Sequence, residues 1–84
     1  ELNLWLTDQI SHHPPPIVKG RRIKIRYVTQ AKSRPPTFIF FGTRSNEIPK
    51  SYERFLINGL RSNFEIRGVP IRVIFRSAEN PYSS

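Results

Sequence analysis

Lys19, Arg21, Arg22, Lys24, Arg26, Lys32, Arg34 and Arg44 lie between Gln9 and Glu47, and no carboxylate falls among them. Cations gathered in this way do one kind of chemistry: they attract polyanions at long range and then bind phosphate or carboxylate oxygens. The rest of the chain carries six cations, Lys50, Arg54, Arg61, Arg67, Arg72 and Arg76, against six acids, Glu1, Asp8, Glu47, Glu53, Glu65 and Glu79. The whole net charge of +8 therefore belongs to one segment. A solvated surface that merely aids solubility accounts for a high net charge but not for its confinement to one part of the chain.

Residues for covalent, acid–base or metal chemistry are not assembled. Cysteine is absent, which excludes disulfides and thiolate metal sites and suits a reducing compartment. His12 and His13 are adjacent, so their rings diverge, and their expected role is to close a helix whose C-terminal dipole favours a cation. The acids are dispersed, and none forms a carboxylate pair suited to proton transfer. Gly20, Gly42, Gly59 and Gly68 begin no phosphate-binding loop of the G-x-x-x-x-G-K-[ST] kind. The expectation is a binding module without catalytic residues, cofactor or metal. No apolar run approaches the roughly 20 residues that span a bilayer, and no signal peptide is visible.

The elements that must position the cations follow from periodicity. At 84 residues a single domain, residues 1–84, is expected. Leu2, Trp5, Leu6 and Ile10 form one stripe of a helix over 2–11, with Leu4 on the opposite side. Pro14-Pro15-Pro16 stops it, and the chain then runs extended to Gly20. Residues 22–30 alternate as a strand, with Ile23, Ile25 and Tyr27 inward and Lys24, Arg26 and Val28 outward. A loop over 31–36 leads to a second strand, Thr37–Phe41, apolar on both faces and hence central in its sheet. Tyr52, Phe55, Leu56, Leu60 and Phe64 define a second helix, Lys50–Phe64, with Lys50, Arg54 and Arg61 on its far side. Gly59 lies on the buried stripe and would let this helix approach the sheet. Ile71–Arg76 is a third strand, at an edge because Pro70 opens it. The remainder, 77–84, is expected to be a flexible tail. Glu1 falls inside a helical pattern, which reads as a piece of a longer protein.

The order α-β-β-α-β predicts an α+β fold: a three-stranded mixed sheet, its last two strands parallel, with both helices on one face. Trp5, Tyr27, Phe38, Phe40, Tyr52 and Phe55 are assigned to the core rather than to base stacking. Ile39 and Phe41 fall on a face with no assigned cover.

This order with a basic hairpin resembles a KH-type RNA-binding domain. Specific segments narrow the resemblance: His13-Pro14-Pro15-Pro16, Lys24–Gln30, Pro35–Phe38, Ile48–Leu56, and Gly68–Arg72 with Arg76 and Asn80-Pro81-Tyr82. Together they are similar to the C-terminal domain of the Der/EngA family of tandem GTPases. The resemblance implies a cytoplasmic, ribosome-associated parent with two GTPase domains that use GTP and Mg, and a role in large (50S) ribosomal subunit assembly. It also implies packing against those GTPase domains, whose nucleotide state would expose or hide the basic face. The GXXG loop by which general KH domains clamp a nucleic-acid backbone is missing, so phosphate contact from the basic strand and hairpin is the expected mode.

The RNA candidates are accordingly Arg21, Arg22, Lys24, Arg26, Lys32 and Arg34, and the expected partner is ribosomal RNA. The candidates for docking between domains are Leu4, Arg72, Ile74 and Arg76, because an apolar residue between two cations suits a contact surface. The chain itself is expected to be monomeric.

Overall fold

Wherever the chain alternates or repeats its apolar residues, the computed structural model, which describes residues 1–77, has a regular element. Helix α1 spans Leu2–His12, and α2 spans Lys50–Asn63. Two short strands, β1 (Ile17–Val18) and β2 (Arg21–Arg22), pair antiparallel. Strands β3 (Lys24–Ser33), β4 (Pro36–Thr43) and β5 (Arg72–Ser77) form the main sheet in the order β3-β4-β5. β3 and β4 are antiparallel, β4 and β5 parallel. The fold is the expected α+β arrangement, with the doubly apolar β4 in the centre and β5 at an edge.

The covered face of the sheet holds the core. Val28, Phe38 and Phe40 meet Trp5 and Leu6 of α1 and Tyr52, Leu56 and Leu60 of α2, with Ile25 and Ile71 completing the cluster. The Phe40 ring stacks on Phe75 at 5.3 Å, and the Trp5 indole stands edge-on to Phe64 at 5.9 Å. Asn3 ties α1 to the outer edge of β3: its side-chain oxygen accepts the Val28 N–H at 2.9 Å and its amide donates to the Val28 carbonyl at 3.0 Å. An edge strand's free backbone groups are thereby partly satisfied without another strand.

Four details differ from the sequence reading. The hairpin loop is only Arg34-Pro35, because β3 runs on to Ser33 and β4 begins at Pro36. The stretch before Gly20 is a tight hairpin, whose turn residues Lys19 and Gly20 have φ of 53° and 74°, the pair of positive values that a two-residue turn matching strand twist requires. Gly59 brings α2 close to α1 rather than to the sheet; a Cβ there would stand 2.9 Å from the Trp5 ring. Ser77, assigned to the tail, closes β5 and donates to Asn46 at 2.7 Å; the rest of that expected tail, 78–84, lies outside the described residues.

The largest difference is in β3. Ile25 pairs with Gly42 and Tyr27 with Phe41, so Arg26 is an extra residue, a β-bulge. Strict alternation would turn Tyr27 inward and Val28 outward. The bulge reverses both: Tyr27 is 47% exposed and Val28 only 2%. Gly42 makes this possible, since a Cβ there would fall 1.9 Å from the Lys24 carbonyl oxygen and 2.8 Å from the Ile25 Cα. Neither backbone atom can swing aside. Gly42→Ala is therefore expected to force β3 and β4 apart at the bulge and to lower the melting temperature by on the order of 10 °C, measured by circular dichroism.

Candidate nucleic-acid interface

Four of the six RNA candidates lie within six residues of one another in sequence, and three of them meet at one cleft beside the triproline segment. Arg21 and Arg22 form β2, and Lys24 and Arg26 open β3; all four are exposed. Arg22, Lys24 and Arg26 line an open cleft of about 420 Å³ with Ile10, Pro14, Pro15, Ile23 and Ile25. Its floor is apolar and its rim cationic, and among the described residues none that lines it is acidic. The Arg26 guanidinium donates to the Thr43 hydroxyl at 3.2 Å, which fixes its direction across the β3–β4 pair. Lys19, at the tip of the β1–β2 turn, is a further exposed cation of the basic segment, outside the six candidates.

The other two candidates are elsewhere. Lys32 and Arg34 are exposed at the far end of the hairpin, eight residues or more along β3 from Lys24, which is roughly 25 Å at strand rise. The docking candidates also separate. Arg72, Ile74 and Arg76 alternate on the open face of β5, the side away from the helices. Leu4, 76% exposed, is on α1 instead.

Two cations have structural duties. The Arg44 guanidinium donates to Glu47 at 2.7 Å and braces the turn after β4, where Arg44 itself has a φ of 59°. Arg61 does not project freely: it donates to the Val69 carbonyl at 2.9 Å and so ties the loop between α2 and β5. Such intraprotein bonds leave fewer donors for a ligand. Among the described residues there is no group of three or more His, Cys, Asp or Glu side chains that could hold a metal ion. His12 ends α1, its Nδ1 2.9 Å from the Asp8 carbonyl, and His13 sets its ring edge-on to Phe55 at 5.0 Å. No helix among the described residues is long and apolar enough to cross a membrane.

The triproline segment is held by Tyr52, whose hydroxyl donates to the His13 carbonyl at 2.6 Å. Burial pushes the phenol up to about 12 from 10.0. Because the folded value lies above the unfolded one, this group's contribution is complete below pH 10 and is lost as the pH rises towards 12. Stability should fall across that window, with a slope that stays below the limit of about 1.4 kcal/mol per pH unit. Tyr52→Phe should be somewhat less stable at neutral pH, lacking the hydrogen bond, yet show a shallower alkaline loss than the parent; urea unfolding at several pH values measures both.

A family model for the KH-domain-like, C-terminal domain of EngA bacterial GTPase enzymes matches residues 1–76. The chain belongs to this family. Its KH-like domain is 60% identical over 83 residues to GTPase Der of Rhizobium etli, covering 99% of the chain and 18% of that protein. It is 54% identical over 84 residues to GTPase Der of Agrobacterium fabrum, covering 100% of the chain and 18% of that protein. With GTPase Der of Novosphingobium aromaticivorans the identity is 52% over 82 residues, 98% of the chain and 18% of that protein. The chain thus spans under a fifth of the length of these relatives. In this KH-like domain α2 is one unbroken helix, Lys50–Asn63, with no GXXG loop dividing it.

Proposed function

We propose that this KH-like domain is the RNA-facing, regulatory part of a Der-type GTPase, and that it acts in assembly of the large ribosomal subunit in the cytoplasm. The observation that carries this reading is the basic cleft at the start of β3: Arg22, Lys24 and Arg26 on one apolar-floored surface, with Arg21 next to Arg22 in β2 and no acid among the described residues that line it. Such a site holds phosphates and carries no means of reading base identity, so it positions RNA without specifying it. Catalysis, GTP and Mg belong in this reading to the preceding domains of the parent protein. Lys32 and Arg34, at the far hairpin tip, would reach a second stretch of the same RNA.

A competing reading makes the domain a brace for the GTPase domains without direct RNA contact. It draws on Ile74, 38% exposed between Arg72 and Arg76, and on exposed Leu4. Direct titration of the chain against a large-subunit ribosomal RNA fragment, and separately against the purified GTPase part, tells the two apart. Measurable RNA affinity is expected; binding only to the GTPase part would favour the brace.

A further inference from the structure

The open face of the sheet carries an aromatic pair that the cleft does not use. Tyr27 and Phe41 are register partners, and their rings stack at 4.7 Å with an interplanar angle of 17°. Arg76 is the next residue in that row, as the parallel partner of Phe41. The adjoining row is Thr29, Ile39 and Ile74, and the one beyond it Lys32, Thr37 and Arg72. On the other side Lys24 pairs with Thr43, which also receives the Arg26 guanidinium. An apolar centre with a half-exposed ring is thus bordered by exposed cations, and no carboxylate occurs anywhere in β3, β4 or β5.

This composition selects a ligand. A protein surface complementary to so many cations would need its own cluster of carboxylates and would gain little from a flat ring. A single-stranded polynucleotide supplies phosphates for the cations and unpaired bases for the rings. Every base has a π-face, and stacking on exposed aromatic side chains is a standard mode of single-strand binding on open sheets. Paired bases are already stacked on each other and cannot use the platform.

We propose that the open face of β3, β4 and β5 is a stacking platform for unpaired RNA bases. Tyr27 and Phe41 carry the bases, while Arg26, Arg72, Arg76 and Lys24 hold the flanking phosphates. The proposal rests on the RNA-facing reading above and adds to it a preference for single strands. The bulge at Arg26 is what exposes the platform, by turning Tyr27 away from the core.

The test uses the 84-residue chain with two fluorescently labelled RNAs of equal charge, one a single-stranded oligoadenylate and one a duplex. The parent should prefer the single strand. Tyr27→Ala should weaken single-strand binding roughly 5- to 100-fold and leave duplex binding nearly unchanged, while Tyr27→Phe, which keeps the ring, should behave like the parent. Thermal melts report whether Tyr27→Ala folds; should it not, ring-proton chemical shifts of the parent settle the point, since stacking moves the Tyr27 signals upfield on adding oligoadenylate. Equal affinity for both RNAs, with no loss in Tyr27→Ala and no ring shift, overturns the platform and leaves phosphate contact intact. Absence of binding to either RNA overturns the RNA-facing reading itself. Weakened binding of Tyr27→Ala to the purified GTPase domains, with RNA affinity unchanged, overturns the platform in favour of a protein partner.

Discussion

Leu60→Asp is expected to abolish the folded state. Leu60 is fully buried, 0% exposed, on the face of α2 that packs with Trp5, Leu56 and Phe40. The adjacent cation, Arg61, is already committed to the Ile66 and Val69 carbonyls. Burying an unpaired charge costs several kcal/mol, comparable to the roughly 5–10 kcal/mol that holds a domain of this size together. Leu60→Ala leaves only a cavity and should cost about 2–5 kcal/mol, so the two variants together separate lost packing from buried charge. Circular dichroism at 25 °C should show an unfolded Leu60→Asp chain. A variant that melts like the parent would contradict the packing of this helix face on the sheet.

Both helices, the central position of β4 and the parallel edge strand were legible in the sequence because each rests on a long periodic run. The stripe of Tyr52, Leu56 and Leu60 needs no tertiary information to be recognised, and neither does the doubly apolar run Phe38–Phe41. The bulge at Arg26 was not legible. Lys24-Ile25-Arg26-Tyr27-Val28 alternates as well as any regular strand, and only the opposing Gly42, distant in sequence, allows the backbone approach that shifts the register. That one shift moved Tyr27 from the expected core to the open face and so concealed the aromatic pair. The β1–β2 hairpin hung on a single signal, Lys19-Gly20, too short for periodicity to support. Duties that depend on long-range geometry, such as Arg61 on the Val69 carbonyl or Gly59 against Trp5, leave no local pattern. Of the candidate site, composition gave the basic segment as a whole. It could not divide that segment into four residues near the start of β3, Lys19 at the β1–β2 turn, two residues at the hairpin tip and Arg44, paired with Glu47.

Replacing Arg21, Arg22, Lys24 and Arg26 together by Gln should remove most of the chain's affinity for RNA while leaving it folded. All four are exposed, so their loss disturbs little of the core, and relief of mutual repulsion offsets the missing Arg26–Thr43 bond. Each cation that neutralises a phosphate releases a counterion, which adds roughly 0.7 to 0.9 to the slope of log affinity against log salt. Four such contacts amount to about three units of slope. Exposed Lys50 and Arg54 on α2 are the control pair, better suited than Arg61 because neither makes a hydrogen bond that the loop needs. Their replacement should change the slope little, since Glu53 already balances charge on that helix.

Titrating the parent and the fourfold Gln variant with the same ribosomal RNA fragment between about 50 and 200 mM salt counts the phosphates that this basic face neutralises. The parent slope should be steep, flatten by about three units in the variant and stay unchanged when Lys50 and Arg54 are replaced. Equal slopes for parent and fourfold variant would contradict the assignment of this face to RNA.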